Sequence, residues 1–287
     1  MKSIKILIFG YSYGNDATEY LEKMLKLRYE KITIGHAGDS SMTINDHYHN
    51  IDDDPNNDFL YHGKPFAVHY KTVDGEIIEL PGDYKTIVAD EDWDYVIFYQ
   101  GPNSSDTLTK NEYYYELDNF LSSIRRYTTN PNVKIVYYMP WAHNVSDTFA
   151  LYNGIVKITK ELIVNNPNID GVIPAATLIE NLRTSYLKSG VGGDITRDWG
   201  HLNYGVGRFA MAMLWYTYLT GASPDDVNFM PTFESETQGD GEKKKDWNGL
   251  FTDVNDNNLK VIKEAVKNAI KCPCAVTESV HKNYKPN

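Results

Sequence analysis

A carboxylate and an imidazole stand three residues apart near the end of the chain, in Asp198-Trp-Gly-His201. On a turn, this spacing lets the carboxylate hold one tautomer of the imidazole, which can then accept a proton from a hydroxyl. The N-terminal stretch offers a hydroxyl, because Ser12 stands between two glycines in Gly10-Tyr-Ser12-Tyr-Gly14. These residue types predict an activated serine nucleophile.

A strand and a helix must position Ser12. The apolar run Ile4–Phe9 ends at Gly10, and Asp16 with Glu19 has the spacing of a capping box. The pattern predicts a strand, a tight turn that contains Ser12, and a helix that begins at about Asp16. Backbone N–H groups at such a helix start favour negative charge.

The other candidate site residues follow further predicted strands, because ligands of open parallel sheets bind outside the carboxyl ends of the strands. A tetrahedral oxyanion needs fixed hydrogen-bond donors. The backbone N–H groups of Ser12 and Gly38 and the side chain of Asn103 are the candidate donors. The candidate substrate-binding residues are Gln100, Trp141 and His143.

Strand and helix patterns alternate along most of the chain. They predict an α/β fold, a three-layer sandwich around a five-stranded parallel sheet. Phe66–Val73 and Glu76–Leu80, joined by Asp74-Gly75, predict an inserted β-hairpin at about residues 64–81. We expect one domain over residues 1–225 and a C-terminal extension, residues 226–287, that packs on it.

The composition restricts the partners. The formal net charge is −11, which argues against nucleic acid or an anionic membrane as a partner, since both need a basic face. No window approaches the roughly 20 apolar residues of a membrane span. The chain as it stands predicts a soluble cytoplasmic protein, or a periplasmic or secreted one if a signal peptide was removed. Cys272 and Cys274 are expected to be free thiols.

Two acidic stretches imitate metal sites. Asp253-x-Asn255-x-Asn257 has Asn258 where a calcium loop needs glycine, so it predicts a helix cap. The acidic, Asn-rich stretch 46–62, which contains Asp46-His47-Tyr-His49, predicts a solvated loop. We therefore expect no metal and no cofactor.

The ordered set of motifs resembles the SGNH (GDSL-like) hydrolases. Ser12 follows the first strand, Gly38 the second, Asn103 the third, and Asp198-x-x-His201 lies near the end. The first block is similar to an uncharacterised bacterial branch with the pattern Gly-x-Ser-x-x-x-Asp-Ala. The resemblance covers roughly residues 4–221. It implies a serine esterase with a Ser12–His201–Asp198 triad that hydrolyses acyl esters, commonly acetyl esters of carbohydrates, and so a small-molecule or oligosaccharide substrate.

Three positions depart from the usual SGNH pattern. Tyr11 precedes the serine where aspartate is usual, Ser104 replaces the aspartate of Gly-x-Asn-Asp, and Asp39 follows Gly38. These departures concern the substrate and the catalytic rate more than the fold.

Two other interpretations remain open. The stretch Ser12-Tyr-Gly14-Asn-Asp-Ala-Thr18 also resembles the phosphate loop of flavodoxins, which would imply an FMN-binding protein. The Asp198-x-x-His201 pair has no role in that interpretation. The second alternative is a non-catalytic carbohydrate-binding protein on the SGNH scaffold. The order Gly10-x-Ser12-x-Gly14 also matches the nucleophile elbow of α/β-hydrolases, but that fold places several strands before its serine.

Overall fold

A buried apolar strand lies near the start of the chain, and its two neighbours in the computed structural model are the strands that precede Gly38 and Gln100. The structure describes residues 2–10, 12–38, 42–53, 60–61, 64–65, 70–79, 84–143, 147–189, 195–198, 200–231 and 252–282. The strands are β1 (Ser3–Phe9), β2 (Lys31–Ala37), β3 (Leu60–Tyr61), β4 (Lys64–Pro65), β5 (Tyr70–Val73), β6 (Glu76–Glu79), β7 (Tyr95–Phe98), β8 (Lys134–Tyr138) and β9 (Gly171–Ile173).

Ten α-helices lie within the described residues. They are α1 (Ser12–Thr18), α2 (Leu21–Leu25), α3 (Ile44–Tyr48), α4 (Tyr84–Ala89), α5 (Ser105–Thr109), α6 (Leu117–Tyr127), α7 (Thr148–Ile158), α8 (Ala175–Arg183), α9 (Val206–Thr220) and α10 (Asp256–Lys271). Shorter 3₁₀ turns occur at Asn111–Tyr114, Tyr186–Ser189 and Pro224–Asp226, and π-helical turns at His49–Asp53 and Thr159–Ile163.

The main sheet has seven strands in the order β6-β5-β2-β1-β7-β8-β9. The pairs β2–β1, β1–β7 and β7–β8 are parallel, as the alternation of strands and helices predicts. Ile6, Leu7, Ile8 and Phe9 are all fully buried, which is typical of a central parallel strand. The fold is therefore mixed α/β with a mostly parallel sheet.

The prediction of a five-stranded sheet is wrong, because the hairpin joins the main sheet. Strand β5 pairs with β2 in antiparallel register, from Thr33 opposite Val73 to His36 opposite Tyr70. Strand β6 then pairs with β5 across the turn at Asp74-Gly75, so the predicted hairpin itself is confirmed. The hairpin residues predicted at 66–69 and 80 lie outside the described residues.

The chain divides into two compact units. The first comprises Met1–Gly14, Tyr29–Pro140 and Lys157–Val172, and its core is formed by β1, β2, β7 and β8 with α3, α4 and α6. The second comprises Asn15–Arg28, Trp141–Val156 and Ile173–Asn287, in which α9 packs against α2, α8 and α10. The proposed domain boundary at residue 225 stays a prediction.

Helix α9 is buried almost throughout, although it contains Arg208. A charged side chain is tolerated at such a position only with charged or hydrogen-bonding partners. Among the described residues, no helix combines the length and the apolar character that crossing a bilayer requires.

The first part of the predicted acidic loop is folded. Thr43 caps α3 through a reciprocal capping box with Asp46, and the Asp46 N–H donates to Thr43 Oγ1 at 3.2 Å. The imidazole of His47 is fully buried and lies edge-on to Phe9, with ring centroids 5.4 Å apart. The expectation of a solvated loop is therefore wrong for residues 46–53, and residues 54–59 and 62 lie outside the described residues. No cluster of three or more metal-ligating side chains is found in the part of the chain that the structure describes.

Candidate active site

The Asp198 carboxylate is bound to His201 in the second unit, as the sequence predicts. The Nδ1 atom of His201 lies 2.9 Å from Asp198 Oδ2. The other carboxylate oxygen, Oδ1, accepts the backbone N–H groups of Gly200 and His201, each at 2.8 Å. Because an ionised carboxylate only accepts hydrogen bonds, Nδ1 is assigned as the protonated nitrogen, and Nε2 carries the lone pair that can accept a proton.

The pair is partly exposed, with 33% of the His201 side chain and 47% of the Asp198 side chain accessible. Burial favours the neutral form of Asp198, but hydrogen bonds from the His201 ring and two backbone amides outweigh it and lower the pKa of this carboxyl well below 3.8. Burial also opposes protonation of His201. The hydrogen bond to Asp198 and the charges of Asp16 and Asp198 outweigh burial, so the pKa of His201 rises above 6.5.

The turn that carries this pair comprises residues 195–203, of which 199 lies outside the described residues, and is called the His201 turn below. It is closed by a bridge between Thr196 and Leu202 and by the Asn203 N–H, which donates to the Ile195 carbonyl at 2.9 Å. Trp141 is fully buried, and its indole N–H donates to the Gly200 carbonyl at 2.7 Å. Trp141 therefore supports the backbone of the turn, a role that its residue type alone did not indicate.

His143, predicted to bind substrate, is fully buried. Burial and the neighbouring positive charge of Arg183 lower the pKa of His143 to about 4, so its ring is neutral near pH 7. Arg183 is held in place by Glu180 Oε1 at 2.6 Å and by the Ala142 carbonyl at 3.0 Å.

Gly10 and Gly38 end neighbouring strands in the first unit, and both have backbone angles that favour glycine, with φ of 131° and 132°. The Gly10 N–H donates to the Ala37 carbonyl at 2.8 Å, which joins the two strand ends. A Cβ atom on Gly10 would lie 2.2 Å from the Tyr99 ring, and one on Gly38 would lie 3.2 Å from the Gly10 nitrogen. Both positions require glycine.

Ser12 is half-buried and is the first residue of α1. Gln100 is fully buried, and its Oε1 accepts the Ile44 N–H at 3.1 Å, which fixes the orientation of the amide. Its Nε2 has no hydrogen-bond partner among the described residues. Asn103 is exposed, and its backbone N–H donates to the Gly101 carbonyl at 3.0 Å.

The capping role predicted for Asp16 is wrong, because α1 begins at Ser12 and Asp16 lies inside it. The Asp16 carboxylate is fully buried and accepts a hydrogen bond from Arg208 Nε at 2.7 Å. Glu19 Oε2 accepts one from Arg208 Nη1 at 2.6 Å. The sequence signal for this cluster was Arg208 itself, a lone charge in an otherwise apolar helix.

Two further imidazoles of the first unit are buried, those of His36 in β2 and His47 in α3, and their burial was not evident from the sequence. Burial lowers the pKa of His36 to about 3, so this ring is neutral at physiological pH. A Cβ atom on Gly14 would lie 3.3 Å from the His36 ring. His36 therefore packs closely beneath the glycine that follows the Ser12 position.

The comparisons with known proteins give a family. The family model for a domain of unknown function, DUF4886, matches residues 5–242. Four chains of solved structures match, and one is the crystal structure of a DUF4886 family protein from Bacteroides uniformis ATCC 8492. It is 25% identical, covers 96% of this chain and 98% of its own, and superposes with a TM-score of 0.73. The comparison with curated proteins found no match. The family model matches most of the length of this chain, and the chain therefore belongs to the DUF4886 family.

Proposed function

We propose that this protein is a serine esterase of the SGNH type that hydrolyses acyl esters. In this proposal Ser12 Oγ attacks the ester carbonyl while His201 Nε2 accepts the hydroxyl proton. His201 then gives the proton to the departing alcohol, which leaves an acyl group on Ser12. Water, deprotonated by the same imidazole, releases the carboxylic acid and restores Ser12.

The observation that carries the proposal is the Asp198–His201 pair. The hydrogen bond to Asp198 orients the imidazole so that Nε2 is the basic nitrogen, and the raised pKa of His201 reflects a stabilised imidazolium ion. Both are properties that a general base needs when it activates a serine.

The position of Ser12 in the chain supports the same chemistry. Ser12 is the first residue of α1 and follows the end of β1, which is the position that the SGNH resemblance gives to the nucleophile.

The proposed oxyanion donors are the N–H groups of Ser12 and Gly38 and the side chain of Asn103. The Nε2 atom of Gln100 has no hydrogen-bond partner in the described part of the chain, and we propose it as a further donor for a substrate oxygen, since a buried donor without a partner costs about 1–3 kcal/mol. On the SGNH resemblance alone, acetyl esters of carbohydrates are the proposed substrate class. The same resemblance is the basis for proposing that the helices and the sheet form a three-layer sandwich.

Labelling by a fluorophosphonate probe tests the proposal. The probe is expected to label the wild-type protein and to leave Ser12→Ala and His201→Gln unlabelled, because the first lacks the nucleophile and the second lacks the base. Ser123→Ala, which removes another hydroxyl from the first unit, is the matched control and should keep labelling. Undiminished labelling of Ser12→Ala would reject Ser12 as the nucleophile. A purified protein with flavin absorbance would favour the FMN-binding alternative instead.

The rate of ester hydrolysis should depend on pH through His201. Only the neutral imidazole accepts a proton, and the hydrogen bond to Asp198 together with two negative charges raises its pKa above 6.5 despite burial. We therefore expect kcat/KM for an aryl acetate to increase with pH through an apparent pKa above 6.5. A profile whose acidic limb lies at or below that value would contradict the assignment of His201 as the base.

A further inference from the structure

The carboxylate of Asp16 binds the His201 turn, although the proposed reaction does not use it. Its Oδ2 accepts the Leu202 N–H at 2.8 Å. Its Oδ1 accepts a hydrogen bond from Arg197 Nη1 at 3.1 Å. The same oxygen lies 2.7 Å from both Nε and Nη2 of Arg208. Asp16 and Arg208 are fully buried, and only 8% of the Arg197 side chain is accessible. A carboxylate so placed is strongly constrained in position.

Asp16 reaches the turn at the two residues that flank the Asp198–His201 pair. Leu202 follows His201, and Arg197 precedes Asp198. Arg197 also ties the two sides of the turn together, because its Nη1 donates to the Leu202 carbonyl at 2.7 Å and its backbone N–H donates to the His201 carbonyl at 2.9 Å. A shift of the Asp16 carboxylate would therefore move both ends of the segment that holds the imidazole.

The charges around this contact are balanced. The carboxylates of Asp16 and Glu19 face the guanidinium groups of Arg197 and Arg208. Both guanidinium groups lie over the Tyr204 ring, each 4.5 Å from its centroid. The Nε atom of Arg197 also lies 3.9 Å from Asp198 Oδ2, so its positive charge is close to the His201 pair.

We propose that Asp16 is a positioning residue for His201: it holds the His201 turn through Leu202 and Arg197, and its charge offsets that of Arg197 beside the imidazole. The proposal rests on the proposed function, in which His201 is the general base. Asp16 acts through other residues and does not touch the substrate in this scheme.

The electrostatic part of the proposal predicts opposite effects of two substitutions. The charged groups that act on His201 are Asp198 and Arg197 of the turn and Asp16 of α1. Asp16 raises the pKa of His201 and Arg197 lowers it. Asp16→Asn should therefore lower this pKa, because Arg197 then lacks its counter-charge. Arg197→Met should raise it.

The test combines an NMR titration of the His201 ring with steady-state kinetics on an aryl acetate. The ring signal is assigned by its loss in His201→Gln. For Asp16→Asn we expect a lower pKa of His201 and a kcat lower by about 10²-fold, the loss that follows from a misplacement of roughly 1 Å. Glu19→Gln is the matched control, because Glu19 also binds Arg208, through its Oε2 atom, and the substitution removes a carboxylate charge from the same cluster. It should leave the pKa of His201 unchanged.

Each result decides the proposal. An unchanged His201 pKa in Asp16→Asn, with a kcat no lower than that of Glu19→Gln, would overturn it. If Asp16→Asn does not fold, Arg197→Met decides, and an unchanged or lowered pKa in that variant would overturn the proposal. If the wild-type protein hydrolyses no ester, the proposed function fails, while the NMR titration still tests whether Asp16 controls His201.

Discussion

Asp198→Asn is expected to lower kcat for ester hydrolysis by about 10⁴-fold while the fold stays intact. In the wild-type protein, Asp198 Oδ1 accepts hydrogen bonds from the N–H groups of Gly200 and His201, and the asparagine oxygen can still accept both. Its amide nitrogen, however, places a donor against His201 Nδ1 where the carboxylate places an acceptor. The imidazole must then carry its proton on Nε2, which removes the lone pair that accepts the serine proton in the proposed reaction.

The measurement is kcat for an aryl acetate, together with a thermal unfolding curve for each protein. Asp225→Asn is the matched control, since it removes the charge of an exposed carboxylate that pairs with Lys267 on the surface. It should keep the wild-type kcat. If Asp198→Asn retains kcat within about tenfold of wild type with an unchanged unfolding temperature, Asp198 does not set the tautomer of the base.

Arg208→Met is expected to give the largest loss of stability among single substitutions of charged residues in the second unit. The guanidinium group of Arg208 is fully buried and binds two buried carboxylates, Asp16 and Glu19. Methionine fills part of the volume but leaves both carboxylates without this counter-charge. Removal of one partner from a buried ion pair costs about 3–5 kcal/mol, which corresponds to a fall in Tm of roughly 10 °C.

Calorimetric unfolding measures this effect. Arg126→Met is the matched control, because Arg126 also pairs with an aspartate, Asp52, but its side chain is 61% accessible. Exposed ion pairs contribute little to stability, so its Tm should change only slightly. The fall in Tm for Arg208→Lys should lie between those of Arg208→Met and Arg126→Met, because lysine keeps the positive charge but lacks the planar guanidinium group that binds a carboxylate through two N–H groups. An equal change in Tm for Arg208→Met and Arg126→Met would contradict a structural role for the buried cluster.

The strands were predictable where local sequence decides them. The strands Lys134–Tyr138 and Gly171–Ile173 are examples, because each is a short, mostly apolar run with clear limits in the sequence. The hairpin at Asp74-Gly75 was predictable from its turn residues. Its pairing with β2 was not, because a strand's partner depends on contacts between distant parts of the chain.

The same distinction applies to the candidate active site. The Asp198–His201 contact was predictable, because three residues of turn are enough to bring the two groups together. The role of Asp16 was not. Its local spacing to Glu19 indicated a helix cap, whereas its actual partners are Arg197, Leu202 and Arg208. Trp141 was recognised as important, but only the folded chain identifies the Gly200 carbonyl as its partner.

The sequence separation within the Asp16 cluster has a consequence for biosynthesis. Asp16 and Arg208 are 192 positions apart, so the contact forms only after most of the chain has left the ribosome. Contacts of such long range close late in folding, because the entropy of loop closure opposes them. We therefore expect nascent chains that end before Arg208 to lack the anchored His201 turn, and the His201 side chain to reach its final position among the last events of folding.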